Sequence, residues 1–366
     1  MPKKAIAVAA GGGGDAITTA VLRHRLPDLE VVAIASWSWD RYIVDPTPGP
    51  RHARDFRGLR DLGGVFQVPA DAALHGPGRS TLPRVAAALD LPVLLIDATG
   101  GAVGIAHLFR IAARCFEATE LVVVDVGGDI LAAGTEPGLR SPLADSLVAA
   151  AAAATGLPAR LLVTGIGLDG ELTVPEVRAA LNRFGAVPAF TLTAADVAAY
   201  APMWSWHPSE ANGLQAVAAG GWRGTVESQR DALITVTDEQ TRVYTVHLPA
   251  VVEGTLAAGL TATTSLDDAE AVVRAARGRT DIDIERDRRD RSSTTVPVTD
   301  PLTVIDRHAG TATARGADAL TIRRVLELCR TAGPAADEMR VQLTTHRSHH
   351  LHGPLYLTSG RCPVLG

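Results

Sequence analysis

Leu121-Val-Val-Val-Asp-Val-Gly-Gly-Asp129 is a branched apolar run that stops at two glycines flanked by two acids. An unbroken run of this kind fits a strand covered on both faces, as in a parallel sheet. The shape occurs three more times, in Ile6-Ala-Val-Ala-Ala-Gly-Gly-Gly-Gly-Asp15, Val93-Leu-Leu-Ile-Asp-Ala-Thr-Gly-Gly101 and Leu161-Leu-Val-Thr-Gly-Ile-Gly-Leu-Asp-Gly-Glu171. In a parallel α/β sheet such loops share the edge at the carboxyl ends of the strands, where ligands bind in open sheets. A further strand is expected at residues 30–35 and a short one at 66–68, with helical patterns at 15–24, 82–89, 105–116, 142–154 and 174–184. The alternation predicts an α/β fold: a doubly wound, mostly parallel Rossmann-like sheet with an α/β C-terminal extension.

Local signals mark some boundaries. Ser141-Pro142 predicts an N-cap followed by proline at the first helical position. Thr173 with Glu176 predicts a capping box. Beyond residue 230 the pattern is less regular. A hairpin is expected from residues 231–237 and 241–248, an amphipathic helix at 266–277, a strand at 302–306, a helix at 319–331 and a short strand at 355–357. The mixed-charge run 281–291 reads as a solvated face. The organisation expected is a Rossmann-like core at 1–230 with its glycine-rich loops, and a C-terminal α/β portion at 231–366 packed on it or continuous with it.

The chain has 366 residues, 46% of them hydrophobic, ample for a large core. Net charge is −5 and no Lys/Arg stripe carries interleaved aromatics, which argues against a nucleic-acid partner. The longest apolar stretch, residues 143–154, contains Asp145 and is too short to span a bilayer, so no membrane partner is expected. Cys115, Cys329 and Cys362 form no CxxC pattern and no signal-peptide core is visible, which fits a cytoplasmic protein. Nothing argues against a homo-oligomer. Abundant arginine and alanine with scarce lysine fit a high-GC genome, and a biosynthetic role in specialised metabolism is compatible with it.

Gly11, Gly12, Gly13 and Gly14, with Asp15 and Ala16, satisfy the relaxed dinucleotide pattern G-x-G-x-x-A between a strand and a helix. The second strand ends without the acid that pattern wants, Asp40 comes late, and Asp15 would repel a bare phosphate. The loop is therefore expected to bind a ligand as a general anion cradle, and NAD(P) is not the expected cofactor. No Walker lysine follows. Asp125 and Asp129, around Gly127 and Gly128, suit acid/base catalysis or Mg²⁺ or another divalent cation. Their structural alternative is turn capping. Asp97 with Thr99 and Gly100, and Asp169 with Glu171, are ligand contacts by the same logic, or turn residues. Ser141 is a cap first and a contact second, and Asp145 is explained by the helix dipole. Carboxylates converging on one crevice would raise a pKa or recruit a cation. Met203-Trp-Ser-Trp-His-Pro-Ser-Glu210 supplies Trp206 as an aromatic wall, with His207 and Glu210 as acid/base groups, and Glu210 opens a helix expected at 210–219. The His-rich segment 346–352 lacks a zinc spacing.

Taken together, Gly11–Asp15, Asp125–Asp129 with Glu136-Pro-Gly-Leu139, Ser141–Asp145, Gly165–Glu171 and His207–Glu210 resemble an uncharacterised family of conserved archaeal and actinomycete proteins of the DUF1152 type. The resemblance covers the front two-thirds of the chain and implies a Rossmann-like core, with no family activity to carry over. The C-terminal third departs most from it, so substrate choice is expected there. The function expected is acid/base chemistry, metal-assisted or not, on a small polar metabolite bearing phosphate, carboxylate or sugar hydroxyls, by a hydrolase, lyase, cyclase or transferase. The alternatives are a non-catalytic nucleotide or metabolite sensor and an NAD(P)-dependent oxidoreductase.

Overall fold

A computed structural model describes residues 2–292 and 298–360. Five parallel strands form the centre: β1 (Lys3–Ala9), β2 (Leu29–Ser36), β3 (Val93–Leu95), β4 (Glu120–Val126) and β5 (Ala159–Thr164). They lie in the order β5-β4-β1-β2-β3 within a nine-stranded sheet. Two strands extend it antiparallel beyond β5, β6 (Val187–Thr191) and, next to β5, Arg242–Val246. Short strands Phe66–Gln67 and Arg60–Asp61 close the other edge. The chain moves outward from β1 to β3, then restarts on the opposite side at β4. Its reversal point lies between β1 and β4.

Residue alternation explains why both faces are covered. Ile6 and Val8 of β1 pack on the face of α3 (Gly101–Cys115) and α4 (Leu143–Ala153), which follow α1 (Asp15–Leu22) and α2 (Leu82–Ala88) in the chain. Ala5, Ala7 and Ala9 point the other way, against Ile17 and Ala20 of α1 and Leu82 and Val85 of α2. Each fully buried Leu or Ile contributes about 1.5–3 kcal/mol. Helix α5 (Val174–Arg183) starts at the predicted capping box: Thr173 Oγ1 accepts from Glu176 N–H, and Glu176 Oε2 accepts from Thr173 N–H at 2.7 Å. Helix α6 (Glu210–Ala219) has the predicted bounds.

Four expectations are corrected. Ser141 caps nothing; Pro142 occupies the N-cap of α4 and the Ser141 hydroxyl donates to Glu171. The expected hairpin is divided between sheets. Leu233–Val236 pairs with Gly224–Glu227 in a separate five-stranded sheet, whereas Arg242–Val246 joins β5. A capped turn at Asp238–Thr241, with Gln240 Oε1 accepting from Thr237 N–H at 2.8 Å, redirects the chain between them. The two sheets thus interleave along the chain around residue 230. Residues 302–306 belong to a helix, Pro301–Ala314, because Asp300 accepts from Thr303 N–H and Pro301 takes the first helical position. In 319–331, Ala319–Thr321 is a strand, and Thr321 caps the helix Ile322–Leu328. The His-rich segment forms a turn and the strand Leu351–His352, with His350 stacked on Tyr356 at 4.7 Å. Among the described residues no helix is long and apolar enough to cross a membrane. Cys115 is exposed and Cys329 buried, both free; Cys362 lies outside the described residues.

Candidate functional site

At the carboxyl ends of β1 and β4, where the chain reverses across the sheet, lies a cavity of about 120 Å³. The loops after β1, β4 and β5 reach it, together with His207–Asn212 and the segment Trp39–Arg41. The fourth loop stays out. Asp97 accepts from the N–H groups of Thr99 at 2.9 Å and Ala53 at 2.7 Å and bonds His52 Nδ1 at 2.9 Å. Burial alone would raise its pKa, but these bonds hold the carboxyl well below the usual carboxylate range. Thr99 and Gly100 belong to the same turn, with Asp97 as its cap. Trp206 also stands outside the cavity, with the Arg84 guanidinium 4.2 Å over its ring.

The glycine run after β1 makes room for other parts of the protein. A Cβ at Gly14 would lie 2.4 Å from Ser209, one at Gly13 3.2 Å from Thr81, and one at Gly12 3.3 Å from the Trp39 carbonyl. The loop's anion is its own. Asp15 Oδ2 accepts from Gly11 N–H at 3.1 Å, and Oδ1 accepts from Asn212 Nδ2 at 2.8 Å. Burial pushes Asp15 up to about 7 despite these bonds. Asp40, 8% exposed, accepts from the N–H and hydroxyl of Thr81 at 2.9 and 2.6 Å, and burial lifts it to about 6.

The acids at the end of β4 are divided between two partners. Asp125 neighbours Asp145 of α4, and Asp129 neighbours Asp169 after β5. Burial, and then the neighbouring carboxylates, raise Asp125, Asp129 and Asp145 well above the ordinary value; Asp169 is raised too, chiefly by burial. Neighbouring buried carboxyl groups favour the protonated form of one another. Asp125 Oδ2 and Asp169 Oδ2 are buried without another partner. Gly127 and Gly128 do not line the cavity; they let the loop close. Their φ values are 131° and 112°, and a Cβ would meet Asp169 Oδ2 at 2.3 Å or Val177 at 2.5 Å. Three metal-donor atoms within 4.8 Å of one another occur among the described residues at Glu227, Asp231 and His308. There Arg315 and Arg324 already neutralise the acids.

Glu171 accepts from the N–H groups of Arg140 at 2.6 Å and Ser141 at 2.8 Å, and from the Ser141 hydroxyl. Ser141 is therefore a cavity wall held by Glu171. His207 is 4% exposed. Its Nδ1 accepts from Ser209 N–H at 3.2 Å, which places the ring proton on Nε2, and Nε2 has no partner. Burial, reinforced by Arg340 and Arg84, pushes its pKa down to about 3. His207 is thus a buried ring whose Nε2–H is free to donate. Glu210, raised by burial, accepts from Thr321 Oγ1 and from Gln229 N–H at 3.1 Å.

Sequence reasoning missed Arg41, Asn212, Asp281 and Arg323, and gave Asp145 only a dipole role. Asp281 opens the helix α7 (Asp281–Ser292), which presents Asp281, Glu285 and Arg288 to the site region and is not simply solvated. Glu285 accepts from Trp39 Nε1, from Arg41 at 3.1 Å and from Gly49 N–H at 2.8 Å. The four- and three-residue spacing of these charges was a readable signal. Burial lifts Asp281 to about 8.

A family model described as Protein of unknown function (DUF1152) matches residues 6–289. The chain belongs to this family. The family region takes in the second half of β1, all of β2 to β5, both carboxyl pairs and most of α7, while Arg323 lies beyond it. Comparison with curated proteins and with solved structures finds no match.

Proposed function

We propose that the protein is a non-redox enzyme that moves protons on a small polar metabolite, as a hydrolase, lyase, cyclase or transferase does. The observation that carries this reading is the placing of two neighbouring buried carboxyl couples, Asp125/Asp145 and Asp129/Asp169, beside one cavity that Asp129, Asp145 and Asp169 line. Carboxyl groups raised in this way can hold a proton beside the cavity and pass it on, which is acid/base chemistry. His207 Nε2–H is a fixed donor for a developing negative charge. Glu210 completes the wall.

The strand order β5-β4-β1-β2-β3 and the helices on both faces support a doubly wound, Rossmann-like reading of the core, with the cavity at its switch point. Asp15 takes the Gly11 N–H that a dinucleotide phosphate would use, which favours acid/base chemistry over nicotinamide chemistry. The cavity is lined by eight carboxyl groups against two guanidiniums. That wall suits hydroxyl or amine groups of a metabolite. Asp129 and Asp169 also offer hard oxygen donors to a divalent cation such as Mg²⁺, which would displace a proton held there.

The test is a turnover screen of the full chain against phosphorylated and aminated sugars and polyols, with and without Mg²⁺. Asp129→Asn should lower turnover about 10²–10⁴-fold with the fold intact. Unchanged turnover in both Asp129→Asn and Asp145→Asn overturns the acid/base role.

A further inference from the structure

The cavity continues past the carboxyl couples. A second chamber of about 50 Å³ adjoins it and shares Arg41, Ser141, Glu171, Gln229, Asp281 and Arg323 with it. Arg140, Glu285 and Arg288 supply much of the remaining wall. The balance of charge inverts between the two. In the outer chamber Arg41, Arg140, Arg288 and Arg323 meet three acids, Glu171, Asp281 and Glu285. Burial pushes Asp281 up to about 8, which removes its charge at neutral pH.

Two of these arginines have donors to spare. Arg323 is 8% exposed, and its Nε is buried without a hydrogen-bond partner. Its nearest carboxylates, on Glu210 and Glu327, stand at 3.8 and 3.9 Å, outside hydrogen-bond reach. Gln229 takes one bond from it at 2.9 Å. Burial disfavours the Arg323 charge, Glu210 and Glu327 support it, and Arg288 and Arg41 repel it. Arg140 is partly exposed, and its guanidinium makes no hydrogen bond or ion pair among the described residues. Guanidinium groups gathered this way bind planar or tetrahedral oxyanions through paired N–H donors.

We propose that the outer chamber is an anion subsite, which takes the phosphate or carboxylate group of the substrate while its hydroxyl or amine end enters the carboxyl-lined cavity. The inference rests on the acid/base reading of the inner cavity for its second half only. It also reassigns anion binding from the glycine loop, where Asp15 already sits, to arginines contributed by four separate segments.

Isothermal titration of the full chain with inorganic phosphate, ethanolamine and phosphoethanolamine tests it. Phosphoethanolamine, which joins both groups, should bind at least about tenfold more tightly than phosphate, the equivalent of one added charge-assisted bond. R140A and R323Q should each weaken both phosphate-bearing probes about tenfold and leave ethanolamine unchanged. R140A sits at a partly exposed position and carries the test if R323Q fails to fold; R140K and R323K, which keep the charge but lose the paired donors, should fall between wild type and the neutral variants. Phosphate that does not bind, or binds wild type and R140A alike, overturns the anion subsite. D145N should weaken ethanolamine and spare phosphate. If D145N changes nothing while R140A weakens phosphate, the anion subsite stands and the inner reading fails.

Discussion

The loops after β3 and β4 begin alike and end as opposites. Leu95-Ile-Asp97 and Val124-Asp125 both deliver an aspartate at a strand end ahead of paired glycines. Around Asp97 the backbone and His52 supply donors, so the carboxylate is held ionised and the loop is a structural clamp. Around Asp125 the near neighbours are other carboxyls, so burial holds a proton in the cluster. The chemistry of an aspartate at a strand end is decided by who donates to it.

The largest way to break this contrast is through the glycines. Gly128→Ala should cost about 2–4 kcal/mol, because a left-handed backbone and Val177 both oppose a side chain there. Gly100→Ala, with nothing within 4 Å and an ordinary φ of −97°, should stay within about 0.5 kcal/mol. Urea denaturation of both variants decides it, and equal losses would mean the β4 loop is not closed as described.

Next come the aspartates themselves. Asp97→Asn should destabilise by about 1–3 kcal/mol near neutral pH, since several donors lose an ionised acceptor. Asp125→Asn should be neutral or stabilising at alkaline pH, where the native carboxyl, raised by burial and its neighbours, is driven to ionise. The contrast collapses if both substitutions destabilise equally at that pH.

The smallest effect expected is the pH dependence of the whole chain. Asp15, Asp40 and Asp281 are raised from 3.8 to about 7, 6 and 8. A raised carboxyl contributes stability that is fully present below its unfolded value and lost as pH rises through its folded value. His207, lowered from 6.5 to about 3, works the other way, and its contribution fades as pH falls below 6.5. Asp15 and Asp281 titrate between about pH 8.5 and about pH 6.5, whereas Asp40 and His207 act below that interval, so the melting temperature should rise by a few degrees from the higher pH to the lower. A flat or falling profile over that interval contradicts the protonated cavity. Asp97, a depressed carboxyl, gives its stability above the usual value and loses it only in stronger acid.

Much of the frame was readable residue by residue. The β1 to β5 runs, the Thr173 capping box and the bounds of α6 and Leu266–Arg277 are local signals, and local hydrogen bonds carry them out. Two misreadings had local causes as well: the Asp300-Pro301 start turns 302–306 into helix, and the Thr237 turn separates two strands expected to pair. The site was readable only as a set of candidates. Asp129, Asp169, Glu171, His207 and Glu210 meet at the cavity. Asp97, Thr99, Gly100 and Trp206 do not, because their loops are spent on His52, Ala53 and Arg84.

Apolar periodicity and glycine placement were enough to specify a parallel core with its loops on one edge, because side-chain burial and backbone φ act within a few residues. Which carboxyls become neighbours was decided by folding alone. Asp125 finds Asp145, and Asp129 finds Asp169, across different elements, and α7 returns from residue 281 to wall the chamber. A carboxyl's charge depends on desolvation and on donors a few ångströms away, and those distances exist only once the chain has closed on itself.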